Sequence, residues 1–135
     1  MLAVFDTGPL YAALDADDDD HQACAELLTR REVRPVIPML VVTEVSYLAA
    51  TRLGTEAEAK FVAGLSTLDV DAPPPQEWER IAELIRRYEN FPLGATDASV
   101  VALTERLQTP YVATLDHRHF HAVRPAHCEA LQLLP

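Results

Sequence analysis

Leu2-Ala-Val-Phe-Asp6 opens the chain as a short apolar run closed by a carboxylate, and Thr7-Gly8-Pro9 follows it directly. Consecutive apolar residues suit a strand covered on both faces, and a proline just inside a first turn marks a helix start. The stretch therefore reads as a buried strand running into a helix, with Asp6 at the strand's carboxyl end. Downstream the same alternation recurs. After the acidic stretch Asp15 to Asp20, a helix is expected from about His21 to Arg31, capped by Asp20 and burying Ala23, Leu27 and Leu28. Val36-Ile37 forms a second short strand closed by Pro38, and Met39 to Arg52 reads as a helix that stops at Gly54.

Thr55-x-x-Glu58 has the spacing of a capping box and opens another helix to about Gly64. Leu68 to Val70 is a third strand, and after Pro73-Pro74-Pro75 the residues Trp78, Ile81, Ile85 and Tyr88 fall on one helical face. Asn90 to Gly94 is a loop. Thr96 caps a helix beginning near Asp97 and running to Gln108, Tyr111 to Thr114 is a fourth strand, and Ala130 to Leu134 is a fifth. Strands separated by helices imply an α/β fold with a parallel sheet and helices on both faces.

Composition bounds the function. The 135 residues make one domain, 1–135, and 11 basic against 21 acidic side chains leave a net charge of -10. Loose, charge-driven binding to nucleic acid needs a positive surface, so a phosphate-bearing substrate must be met by local arginines or a bound cation. One lysine, Lys60, stands against ten arginines, which favours planar, bidentate contacts. Apolar windows such as Met39 to Val42 and Ala98 to Leu103 are far short of the ~20 residues that span a bilayer. With no secretory signal and only Cys24 and Cys128, a cytoplasmic protein without membrane association is expected.

In an open parallel sheet the site lies beyond the carboxyl ends of the strands. Asp6 ends the first strand, Asp116 follows the fourth, Asp97 begins a helix and Glu44 lies near the start of another. Like charges repel by ~4 kcal/mol per pair at about 4 Å and an effective dielectric of about 20, so four converging carboxylates demand protons or a cation. Oxygen donors select hard ions, and Mg²⁺ keeps waters that leave room for a substrate phosphate.

The motifs Phe5-Asp6-Thr7-Gly8-Pro9-Leu10, Val42-Thr43-Glu44-Val45, Leu93-Gly94-Ala95-Thr96-Asp97-Ala98-Ser99 and Ala113-Thr114-Leu115-Asp116-His117-Arg118-His119-Phe120 together resemble the PIN-domain ribonucleases. Within that family they are most similar to the VapC toxins of bacterial toxin–antitoxin pairs. The resemblance covers essentially the whole chain. It implies a PIN-like fold of about five parallel strands and an endoribonuclease using Mg²⁺ or Mn²⁺ that leaves 5′-phosphate and 3′-hydroxyl ends. It also implies a homodimer and a cognate VapB-type antitoxin whose arginine reaches the acidic pocket.

Carried over by position, Asp6, Glu44, Asp97 and Asp116 match the family's acidic quartet. Asp6 and Asp97 face the metal, Asp116 completes the pocket, and Glu44 positions or deprotonates the attacking water. Thr7 and Thr114 match small hydroxyl residues that support the pocket. Where relatives often carry a basic residue after the fourth acid, this chain has His117, which leaves Arg118 or Arg124 to hold substrate phosphate.

Blander readings stand beside these. Each acid alone suits a cap, a turn or a solvated helix face. The alternation His117, His119, His121 reads as a loop rather than zinc ligation, Cys24 as a small buried hydrophobe, and Trp78 and Tyr88 as core or interface. Leu40, Val41, Leu48, Leu53 and Phe61 either fill the core or form a groove for the antitoxin and a dimer seam. A phosphoacceptor domain would need an acidic pair at the first strand and a late lysine; a haloacid-type phosphatase would need an acid at Gly8. The remaining alternative is a catalytically silent RNA- or protein-binding module of the same fold.

Overall fold

A computed structural model describes residues 1–135. The opening run forms β1, Leu2–Phe5. Ala3, Val4 and Phe5 are each fully buried, and since consecutive strand residues point to opposite faces, both sides of the sheet are covered here. β2 (Arg34–Pro38) and β4 (Tyr111–Ala113) flank β1; β3 (Asp69–Asp71) lies outside β2 and β5 (Gln132–Leu134) outside β4. Every pair is parallel, so each connection must cross back over the sheet.

Helices supply those crossovers: α1 (Thr7–Leu14), α2 (His21–Thr29), α3 (Met39–Leu53), α4 (Thr55–Gly64), α5 (Glu77–Arg87), α6 (Ala95–Leu107) and α7 (His117–Ala122). The chain steps outward from β1 to β2 and β3, then returns to place β4 on the other side of β1. The crevice of such a sheet opens at this reversal. α6 packs on β1, β2 and β4 and against α3 and α5, and every residue from Ala98 to Thr104 is buried. Its first turn is thereby held at the crevice.

Arginine forks tie these layers. Arg80 donates to both carboxylate oxygens of Glu105 at 2.8 and 2.7 Å, and Arg106 donates to Glu77 at 2.7 Å while also pairing with Asp71. The two contacts join α5 to α6 and α6 to β3.

Several local expectations are corrected. The Asp20, Thr55 and Thr96 side chains make no capping bond, and α6 starts at Ala95 after Gly94. Glu58 accepts the Ser46 hydroxyl instead of folding back on its own helix. On α2, Cys24 and Leu27 are buried but Ala23 is exposed. On α5 the covered residues are Glu77, Ile81 and Leu84, whereas Trp78 and Ile85 are exposed. Val41 and Phe61 fill the core, while Leu53 is exposed with Met39, Tyr47 and Val62. Residues 117–122, expected as a loop, form α7, because Asp116 accepts from the His119 backbone N–H and caps the turn. No helix is long and apolar enough to cross a membrane.

Candidate active site

The Asp6 N–H donates to the Ala113 carbonyl at 2.9 Å, extending the ladder between β1 and β4 by one residue. Thr114 therefore stands beside Asp6. Its buried hydroxyl donates to Asp6 Oδ2 at 2.9 Å and accepts the Asp116 backbone N–H at 3.0 Å. One threonine thus fixes both acids at the strand ends. Glu44 comes from the second turn of α3, which starts where β2 stops, and Asp97 from the first turn of α6.

Asp6, Thr7, Gly8, Glu44, Asp97, Leu115 and Asp116 line one cavity of about 550 Å³. All four acids expected from the sequence are in it, together with Thr7, while Thr114 supports it from below. Asp6 is buried, Asp97 and Asp116 are half-buried, and Glu44 is exposed. Val41 and Val45 are buried while Glu44 faces out, because the helix turns ~100° per residue.

Crowding of acids acts on their protonation. Burial first, then Asp6, Asp116 and Glu44, pushes the Asp97 carboxyl up to about 7, with His119 opposing. Burial also raises Asp6, against the Thr7 N–H and the Thr114 hydroxyl, with Glu44 and Asp116 adding to the rise. Perturbed carboxyls gathered in a cleft mark a functional site. The donors are all hard oxygens, and the buried Thr7 Oγ1 has no protein partner. No three acidic, imidazole or thiol groups are placed to hold an ion together, so the site is not a closed structural one. The oxygen-only lining suits a hard divalent ion that would retain much of its water shell.

Neither arginine expected at the phosphate lines this cavity. Arg118 lies over the Phe91 ring, 5.1 Å from its centre. Arg124 donates to the carbonyls of His121 and Val123 at 2.6 and 3.1 Å and lines a separate cavity of about 520 Å³ with Pro110 and Gln132, at the amino ends of β4 and β5. His119, read as part of a loop, instead reaches Asp116 Oδ2 through its ring Nδ1 at 2.9 Å. Its signal in the sequence was the spacing Asp-x-x-His across a helix start.

The family model for the PIN domain matches residues 3–124, which include all four acids. The chain belongs to the PIN-domain family. Within that class it is 35% identical over 124 residues to Ribonuclease VapC26 of Mycobacterium tuberculosis, covering 90% of this chain and 92% of that protein. Solved structures share the fold. VapC20 of Mycobacterium tuberculosis, a sarcin–ricin loop cleaving toxin, superposes with a TM-score of 0.76 at 21% identity, over 83% of this chain and 87% of that one. VapBC2 from Rickettsia felis, bound to a promoter DNA fragment, gives 0.72 at 18% identity with both chains fully covered. A toxin–antitoxin complex from Klebsiella pneumoniae gives 0.68 at 20% identity, over 90% and 92%.

Proposed function

We propose that this chain is an endoribonuclease toxin of a type II toxin–antitoxin pair, hydrolysing RNA phosphodiester bonds with Mg²⁺ or Mn²⁺ as cofactor. One observation carries the reading: Asp6, Glu44, Asp97 and Asp116, from four distant stretches, line a single cavity at the point where the strand order reverses. The likeness to a ribonuclease along nine-tenths of the chain supports it.

Asp6 and Asp97 would hold the ion, directly or through water, with Asp116 completing the pocket. When bound, the divalent ion activates water and offsets charge on the phosphoryl oxygens. Thr114 keeps Asp6 and Asp116 in register through its single hydroxyl. Glu44, the most exposed of the four, positions the attacking water or takes its proton. Thr7, whose buried hydroxyl has no protein partner, lines the same pocket. In-line attack would leave a 5′-phosphate and a 3′-hydroxyl.

A VapB-type antitoxin is the expected partner, since a Klebsiella pneumoniae neighbour was solved as a toxin–antitoxin complex. An apolar hollow lined by Leu10, Leu14, Leu28, Phe61 and Leu68, with Lys60 beside it, suits an apolar antitoxin segment. Exposed Met39, Tyr47, Leu53 and Val62 on α3 and α4 suit a second copy in a homodimer. An antitoxin arginine would compete with the ion for the acids. Two unpaired thiols, Cys24 and Cys128, accord with action in the cytoplasm.

The test is cleavage of a folded-RNA pool by wild type and Asp6→Asn, with Mg²⁺ and with EDTA. We expect ion-dependent cleavage that falls about a hundredfold or more in the variant. Equal cleavage in every condition would end the reading, and no cleavage in any would favour a silent binding module.

A further inference from the structure

The chain sets ten arginines among 21 acids. Arg34, Arg80 and Arg106 each pair with a carboxylate. Arg118 pairs with none. Its guanidinium is exposed, rests 5.1 Å from the centre of the Phe91 ring, and makes no hydrogen bond within the protein. Stacking on a ring fixes the guanidinium plane while leaving its N–H edge free.

The placement matters because Arg118 stands two residues after Asp116, at the start of α7. Its neighbour His119 bonds the Asp116 carboxylate through the backbone N–H at 3.1 Å and the ring Nδ1 at 2.9 Å. The His119 ring packs on the same Phe91, with centroids 4.6 Å apart. Phe91 is held in turn by its N–H, which donates to the Tyr88 carbonyl at 3.0 Å. A single aromatic side chain therefore braces a free guanidinium and the imidazole that touches the fourth acid. Arg118 is the one arginine of α7, standing two residues from Asp116 on a chain of net charge -10.

We propose that Arg118, seated on Phe91, grips an RNA phosphate adjacent to the one cleaved, and that Phe91 is a positioning residue for that grip. The inference rests on the ribonuclease reading and deepens it. A planar fork can meet a phosphate bidentately, and Arg118 follows Asp116, which lines the acidic cavity, by two residues. Without such a contact, an acidic protein would offer the backbone little beyond the bound ion.

The test is equilibrium binding, by fluorescence anisotropy, of a labelled mixed-sequence single-stranded RNA 20-mer to the full chain in EDTA across a salt series. No turnover is needed, so the result is independent of catalysis. Arg118→Ala should weaken binding about tenfold and flatten the log–log salt slope by about 0.7, the share of one phosphate. Arg118→Lys should keep the slope and recover part of the affinity. Phe91→Ala should cost about threefold, Phe91→Tyr should restore it, and Phe91→Ala should add nothing once Arg118 is alanine. Wild-type binding with affinity and slope unchanged in Arg118→Ala would overturn this inference and leave the ribonuclease reading standing. Additive losses from Phe91→Ala and Arg118→Ala would overturn the positioning role. Absence of RNA binding by wild type in EDTA would overturn this inference alone, because the ion is withheld and the ribonuclease reading is tested by cleavage, and an Arg118→Ala defect confined to antitoxin binding would overturn it by assigning the guanidinium to that partner.

Discussion

Asp97 begins a helix buried in the core and shares a cavity with three other acids, so its charge is opposed by burial and by its neighbours at once. Its carboxyl rises from 3.8 to about 7. The folded protein then holds that proton more tightly than the unfolded chain does, and the associated stability is present at low pH and lost as pH rises from about 4 through about 7. Asp97→Asn should accordingly melt above wild type in EDTA at pH 8, with the gap closing toward pH 4, in thermal circular dichroism. Adding Mg²⁺ at pH 8 should narrow the gap, because only wild type gains the full ion site. Identical melting across the range would contradict the crowding. At this scale the four acids were legible from strand ends and helix starts. Thr114 bridging Asp6 across 108 residues and His119 on Asp116 were weaker signals, since both bonds depend on tertiary register.

Between elements, arginine forks join α5, α6 and β3. Glu77 is a buried acid whose partner is Arg106, with side chains 9% and 34% exposed, whereas Arg34 and Asp69 are 71% and 55% exposed. Removing one member of a buried pair strands the other charge, so Arg106→Ala should cost about 2–3 kcal/mol in urea unfolding. Arg34→Ala should cost less than about 0.5 kcal/mol. Equal losses would show that burial does not set the difference. The strands and most helices were readable from apolar runs and from Gly and Pro punctuation. Caps were not: Thr55 and Thr96 have suitable side chains, yet the backbone enters each helix without using them. On α5 the helical pattern put Trp78 and Ile85 on the covered face with Ile81, whereas the fold covers Ile81 and Leu84 and leaves Trp78 and Ile85 exposed.

Across the whole molecule, a net charge of -10 confronts a polyanionic substrate. Under the proposed function this mismatch is met locally, by a cation among the acids and by Arg118 beside Asp116, instead of by a broad basic face. The parallel α/β class followed from alternating strands and helices, and family motifs pointed to the PIN fold. The order β3-β2-β1-β4-β5 was not visible in any one segment, because which strand lies beside β1 is decided by crossovers and long-range burial. That order brings Asp6, Glu44 and Asp116 to one crevice. The most direct test is calorimetric titration of the protein with Mn²⁺ and Mg²⁺ at pH 6 and pH 8, in buffers of differing ionisation enthalpy. With the Asp97 carboxyl near 7, binding should release about one proton per ion at pH 6 and almost none at pH 8, and Asp97→Asn should abolish the release and weaken binding. No heat with either ion, or heat that neither buffer nor Asp97→Asn alters, would contradict the account.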